Sequence, residues 1–472
     1  MKKVTLSALA AVMMSGVVYA DTMTLFSDPK TGQVFTTPAE GRVEMGDFVD
    51  AKTIDANQRE GESAFSEYKD AQKKYVNVKS KAKTLEFSGT HYFGLTSVRP
   101  DLTGDVASVK GTYTGAADVA NSTGFEIRRN YVQVKAYFND KDFFRVTMDT
   151  TKELGSSTSY ANMYAKYAYL YLDKVLPYTG VEIGIAHRPW IDYEEHNAWH
   201  YRSINKVAVE QKTNATDSGP DLINSADLGF NLKTKTEFFS SEIGMFNGEG
   251  YHADKTAANQ ENSTDLSLEW RLTGHLIGSG NKVGKNDLTK DTYANLSTYG
   301  LISKNHKDEQ VDLDSVTVSN DDPSKSFKGE FDRSIYGIHA VYNQPEFLIA
   351  AQYYIAEDKA QNTLLTDGKE YKGWSVNAEV RPMTDWTIIG RYDVSDIDKV
   401  ALGVAGTKTK DQDMKQILLG VAYKMNKNVS FIASGKKITD DAKVWSLTSP
   451  STDTLDEQKE KKVYMLTTEV KW

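Results

Sequence analysis

The stretch KVYMLTTEVKW, Lys462 to Trp472, puts Tyr464, Leu466, Thr468, Val470 and Trp472 on one face and Val463, Met465, Thr467, Glu469 and Lys471 on the other. Alternation sustained over about ten residues, with an aromatic at the end, describes a strand whose two faces meet different solvents. This is the pattern of a membrane barrel's closing strand.

Toward the amino end the same texture recurs in segments of about ten residues separated by polar stretches. The first half holds Leu85 to Val98, Phe125 to Phe138, Phe143 to Thr151, Ala165 to Leu172, Val181 to Trp190, Ala226 to Lys233, Glu237 to Phe246 and Leu266 to Ile277. The second holds Ala294 to Ser303, Arg333 to Tyr342, Phe347 to Ala356, Gly373 to Arg381, Trp386 to Val394, Gln416 to Lys424, Val429 to Lys437 and Lys462 to Trp472. The chain therefore reads as all-β, a transmembrane antiparallel β-barrel of about sixteen strands. Short and long connectors alternate between the segments, as they do when one rim carries tight turns and the other carries loops. Asn139 to Asp142, Asn343 to Glu346, Pro382 to Asp385 and Met425 to Asn428 are tight and rich in turn formers. Gly278 to Tyr293 is long where a short turn is due, so one strand pair is open to recount there.

Periodicity also sorts side chains by face. Val132, Val134, Ala136 and Phe138 oppose Arg129, Tyr131, Gln133 and Lys135; Phe144, Val146 and Met148 oppose Arg145, Thr147 and Asp149. Leu268, Trp270 and Leu272 likewise oppose Glu269 and Arg271, and Val376, Ala378 and Val380 oppose Glu379 and Arg381. An Arg or Lys facing mid-bilayer lipid costs roughly 2 to 4 kcal/mol, so the charged face is expected to line water.

The termini divide the chain into 1–20, 21–83 and 84–472. Met1, Lys2 and Lys3, an apolar run from Leu6 to Val18 and the small-residue site Val18-Tyr19-Ala20 predict a secretory signal peptide. No later run of about 18 apolar residues could cross a bilayer as a helix. Asp21 to Lys83 reads as a polar N-terminal arm, partly helical over Asp47 to Lys81, serving as a plug or a periplasmic segment. With no cysteine, disulfides and thiolate metal sites are excluded. The net charge of -9 makes nucleic acid an unsuitable partner. Hydrophobic residues at 39%, a mean hydropathy of -0.51 and 26 Tyr suit a barrel with a wet interior and aromatic girdles.

The hairpin GFEIRRNYVQVKAYFNDKDFFRVTMD at Gly124 to Asp149, with its Arg-Arg pair and tight Asn-Asp turn, resembles the opening hairpins of the phosphate-selective porins. Together with the terminal Trp472, which resembles the carboxyl-terminal assembly signal of outer-membrane proteins, it makes the chain look like a Gram-negative porin. The resemblance implies an outer-membrane location, a homotrimer in contact with lipid and lipopolysaccharide, and passive diffusion of small hydrophilic solutes or ions past an inward-folded loop. That loop follows the fifth strand in sixteen-stranded porins, and here the corresponding connector is Ile191 to Ser225. It lacks the lysine-rich composition of phosphate-selective members, carrying Arg202, Lys206 and Lys212 against six carboxylates.

The densest polar run, His187 to Arg202, supplies opposed charges for a constriction: Arg188, Asp192, Glu194, Glu195 and Arg202. With the wall candidates Arg129, Lys135, Arg145, Asp149, Arg271 and Arg381 these are the expected pore-lining residues. His196 and His200, four apart, could share a helical face and hold a metal, but HNAWH lacks the glutamate of a zincin helix. A solvated loop packed by Trp190, Trp199 and Tyr201 is the plainer alternative. No nucleophile motif or phosphate loop appears, so neither catalysis nor a cofactor is implied. The reading is a diffusion channel. Its alternatives are a substrate-specific transporter barrel for an anion, sugar or hydrophobic solute, and a surface adhesin or scaffolding barrel with a closed lumen.

Overall fold

The computed structural model describes residues 22–31, 33–49, 81–101, 121–151, 163–248, 250–251, 265–278, 287–306, 331–360, 369–399, 408–446 and 455–472. The expected signal peptide, Met1 to Ala20, and residues 50–80 of the expected helical stretch lie outside them, while its first residues, Asp47 to Val49, form strand instead. Two compact units form, Met1–Lys81 and Ala82–Trp472.

In the first unit, β1 (Thr22–Ser27), β2 (Val34–Phe35) and β3 (Val43–Val49) make an antiparallel sheet in the order β2-β1-β3. The Arg42 guanidinium lies 3.4 Å from the centre of the Phe35 ring. These strands are too short to display the ten-residue alternation that reveals the others, and the sequence reading passes over them.

The second unit is a closed barrel in which each strand pairs with its sequence neighbours and the last pairs with the first. Its early strands are β4 (Thr84–Asp101), β5 (Ser122–Tyr137), β6 (Phe143–Thr150), β7 (Met163–Leu176), β8 (Thr179–His187), β9 (Ala226–Lys235), β10 (Phe239–Phe246) and β11 (Ser267–Gly278). The later ones are β12 (Tyr293–His306), β13 (Phe331–Gln344), β14 (Phe347–Ala360), β15 (Lys369–Met383), β16 (Trp386–Lys399), β17 (Lys408–Lys424), β18 (Val429–Ser446) and β19 (Leu455–Lys471). Each expected segment overlaps one strand, except that the one expected to run to Trp190 leaves the ladder after His187; β11 pairs directly with β12, so the barrel has no further strand between them. Among the described residues no helix is long and apolar enough to cross a membrane.

Several strands run past their expected ends. β17 begins at Lys408 instead of Gln416, and β18 continues to Ser446 instead of Lys437. The added residues, such as Gln412, Asp413, Thr439 and Asp440, are mostly polar, so the ladder continues where the hydrophobic pattern no longer marks it. The wall is also uneven. At about 3.3 Å per residue, the 8 residues of β6 and 9 of β8 span far less than the 18 of β18.

The outward face carries exposed Leu268, Leu272, Ile302, Ile338, Leu419 and Leu466, while Glu269 and Arg271 are buried inside. One expectation needs correcting. The inner face is polar and ionised on β5 to β11 and mixed on β12 to β19, where Tyr299, Leu301, Ile335, Tyr354, Ile389, Leu418, Ile432 and Val463 all join one buried cluster beside buried Arg333, Asp358, Glu379, Arg391, Asp393 and Lys436. The apolar part of this inner surface meets a folded loop and not water.

Two of the bulges in the polar sector carry a cation. Between β4 and β5 the register moves from Tyr92 opposite Arg129 to Phe93 opposite Ile127, leaving Arg128 as an extra residue. Between β6 and β7 it moves from Thr147 opposite Tyr167 to Met148 opposite Ala165, leaving Lys166 extra. A bulge lets neighbouring side chains point the same way. Arg128 therefore joins Arg129 inside, and Lys166 joins Tyr167.

Candidate functional site

The segment between His187 and Ala226 folds into the barrel. Arg188 is extended, Pro189 takes the first helical position where its missing N–H costs nothing, and α1 (Pro189–Asn197) follows. The helix ends when the Ala198 and Trp199 amides both donate to the Glu194 carbonyl. The Trp199 indole then donates to the Asn205 carbonyl at 2.7 Å, a single 3-10 turn occupies Ala208–Glu210, and Lys212 bridges to Pro220. Asn214 closes the tip by accepting from the Thr216 and Asp217 amides, each at 2.8 Å.

Apolar burial holds this loop to one side of the wall. Trp190, 2% exposed, stacks on Tyr299 with ring centres 3.8 Å apart and meets His339 edge-on at 5.1 Å. Ile191, Trp199, Ile204, Val207, Val209, Leu222 and Ile223 extend the same cluster to Val463 and Met465 of β19. Polar anchors follow the same sector. His200 bonds Glu379 at 2.9 Å, Gln211 donates to Asp393 at 2.9 Å, and Asp217 pairs with Lys436 and with Arg128, the latter at 3.6 Å.

The expected site residues fall into two groups. Arg188, Glu194, Arg271 and Arg381 lie against the wall. The Arg188 Nε donates to both Glu269 oxygens at 2.8 and 2.9 Å, and Glu194 accepts from Gln352 at 2.6 Å. Arg271 meets Glu242 at 3.1 Å with its guanidinium 4.6 Å from the Tyr193 ring centre, and Arg381 binds Glu379 at 2.8 Å beside the short-turn rim. The first three are nearly fully buried.

The second group gathers at the loop's polar edge and the β5 to β8 wall. Arg129 lies over Tyr131 at 4.1 Å, and Asp149 accepts from the Asn130 amide at 2.9 Å and the Tyr164 hydroxyl at 3.2 Å. Arg145 donates to Thr147 at 3.0 Å, to the Tyr169 hydroxyl at 3.2 Å and to His187 Nε2 at 3.2 Å. Lys135 sits nearer the short-turn rim, 3.5 Å from Glu86. On the loop, Arg202 pairs with Glu195 and Glu210, and Asp192 faces His187, His196 and Lys233 at 3.6, 3.3 and 3.5 Å. His196 ends α1 while His200 lies beyond it on Glu379, so the two histidines do not share a helical face.

The loop carboxyls differ sharply in proton affinity. Burial pushes Glu194 up to about 8, outweighing the pull of Arg391. Burial would also raise Glu210, but Arg202 beside it and Lys206 hold it down to about 2. Asp192 is kept well below the usual carboxylate range by His187, His196 and Lys233 against the opposing effect of burial.

Arg128, Lys166, Glu210 and Asp217 are the members the sequence reading missed. Strict alternation sends Arg128 and Lys166 to lipid. The signal was available in the Arg128-Arg129 pair, because two adjacent arginines inside a strand cannot both avoid hydrocarbon without a bulge.

A closed antiparallel barrel with the topology in hand and a long loop folded into its lumen after the fifth barrel strand has the fold of an outer-membrane porin. The chain is similar to the outer-membrane expressed OmpT of Vibrio cholerae, with 14% identity, 84% of this chain and 99% of that one covered, and a TM-score of 0.50. It is likewise similar to the anion-selective porin from Comamonas acidovorans, with 11% identity, coverage of 82% and 99%, and a TM-score of 0.53. At such identities the likeness is one of fold. No family model matches the sequence, and no curated protein matches it.

Proposed function

We propose that the protein is a diffusion channel of the outer membrane, passing ions and small hydrophilic solutes without turnover. The observation that carries this reading is the one-sided docking of the 188–225 loop. Its apolar residues cover β12 to β19, and its charged edge, Asp192, Glu195, Arg202 and Glu210, is left toward Arg129, Arg145 and Lys166. Opposed charges across a narrow aqueous gap set its ion preference. Arg188, Glu194, Arg271 and Arg381 then act as fastenings that hold the loop's position.

A homotrimer is part of the proposal. The outer face of β4 to β6 carries a polar chain that hydrocarbon would leave unsolvated. Trp472 Nε1 donates to His91 Nε2 at 2.8 Å, His91 Nδ1 lies 2.6 Å from Asn130 Oδ1, and Asn130 donates to Thr150 at 2.8 Å. This face adjoins the lowest part of the wall, which suits it to meeting other copies.

Adding the purified, folded protein to a planar bilayer tests the channel directly. Stepwise conductance in potassium chloride is the expected result, and a bilayer that stays sealed defeats the reading in favour of a closed-lumen scaffold.

A further inference from the structure

The wall facing the loop's charged edge is paved with aromatic rings from the short-turn rim upward, Tyr131, Tyr167 and Tyr169 packed together and Phe143 and Tyr171 partly exposed. Tyr137 and Phe143 have centres 5.2 Å apart, Phe143 lies 5.2 Å from Tyr171 and 6.1 Å from Tyr169, and Tyr131 meets Tyr167 at 6.5 Å. His187 joins the two runs, 5.3 Å from Tyr169 and 4.3 Å from Tyr167. Cations lie over this pavement: Lys135 at 5.5 Å from Phe143, Arg145 at 4.6 Å from Tyr167, and Arg129 at 4.1 Å from Tyr131. Lys166 Nζ is 3.2 Å from the centre of Tyr251, whose ring stacks on Tyr164.

Around the loop, Arg188, Arg202, Lys233, Arg271 and Lys436 each have a carboxylate in contact. Among the described residues Arg129, Arg145 and Lys166 make no ion pair within 4.0 Å; Asp149, Asp192 and Glu210 respectively act on them only from farther away. Three positive groups on three adjacent strands thus lie around one Tyr131–Tyr167 pair with their charge uncompensated at contact distance.

Resting on the channel reading above, we infer that this track selects aromatic monocarboxylates, with benzoate the simplest member. The Arg129 guanidinium, whose face lies against Tyr92 and Tyr131, keeps its edge for a bidentate carboxylate. The solute's own ring meets neighbouring aromatic edges at the spacing such pairs favour. Inorganic phosphate brings more charge to desolvate and no apolar surface. Acetate brings the carboxylate without the ring.

The test compares block of the chloride current by benzoate, acetate and phosphate, together with calorimetric binding of each to the full-length protein in detergent. Benzoate is expected to act at concentrations at least tenfold below acetate and phosphate. Arg129→Gln should weaken benzoate and acetate alike about tenfold. Tyr167→Leu should weaken benzoate alone, so that the two carboxylates become equal. Equal action of benzoate and acetate on the unaltered protein, or stronger action of phosphate, overturns the inference while leaving a conducting channel. A sealed bilayer with calorimetric benzoate binding intact instead overturns the channel reading and keeps the track.

Discussion

Replacing Trp190 with alanine strikes the point where the loop is most firmly held. The indole is 2% exposed, stacked within 3.8 Å of Tyr299, and joined to a cluster that reaches β19. Removing a buried tryptophan to alanine costs about 3 to 5 kcal/mol. At about 1.36 kcal/mol per factor of ten, the ratio of docked to undocked loop should fall by about two to four orders of magnitude. The barrel ladder is untouched, so the effect should be confined to the loop. Limited trypsin digestion reads it directly, since Arg202 and Lys206, partly buried in the docked loop, become cleavable when the loop leaves the wall. Mass spectrometry of the fragments should show cleavage at these sites rising by at least a hundredfold, with larger and noisier currents in a bilayer. Trp190→Phe, which keeps a ring on Tyr299, should recover most of the protection. If Trp190→Ala resists trypsin at these positions as the unaltered protein does, packing on Tyr299 is not what fixes the loop.

Arg188→Ala leaves Glu269 buried without its bidentate partner and should destabilise loop docking by about 3 to 5 kcal/mol; the double variant Arg188→Met with Glu269→Leu should regain much of that loss in thermal unfolding. Glu194 is protonated in the fold up to about pH 8 and has an ordinary value of 4.5 when unfolded. Its contribution is therefore fully present below pH 4.5 and is lost as pH rises through 8, and Glu194→Gln should flatten the pH dependence of tryptic protection over that window. Glu210, held down to about 2, acts with the opposite sign: its stabilisation is complete above pH 4.5 and disappears as pH falls through 2. Gly89→Val places a Cβ 2.6 Å from both the Trp472 indole and the His91 ring, so the junction of β19 with β4 should loosen, seen as a lower temperature for the heat-induced gel-mobility shift.

The strands were legible because lipid and water impose opposite demands on alternate residues. Leu268, Trp270 and Leu272 against Glu269 and Arg271 declare their faces without any knowledge of their neighbours. The loop was legible in place and length, through the polar run from His187 onward, but not in how it is held. Its contact surface is recorded elsewhere, in the inward Leu301 and Ile335 beside outward Ile302 and Ile338, a doubling of apolar faces that period two alone does not interpret. Arg188, Glu194 and Arg271 look like lining charges in a sequence because a pattern reports direction and not depth. Arg271 points inward from the wall while Arg188 and Glu194 reach from the loop to the wall, and all three meet protein. Arg128 and Lys166 escaped for the opposite reason, since a single added residue shifts the phase within a strand whose pattern is otherwise regular. The small sheet of β1 to β3 offered too few residues for any rhythm to emerge.

The two bulges carry a lesson for altering such a protein. Inserting one amino acid into a barrel strand is usually pictured as an error that inverts everything downstream. At Arg128 and Lys166 the dislocation is absorbed within a single step of the ladder, and the stave resumes its ordinary order on either side. An engineer could therefore add or delete a positive charge inside the conduit by a one-codon insertion, keeping the number of staves and the circumference of the cylinder unchanged.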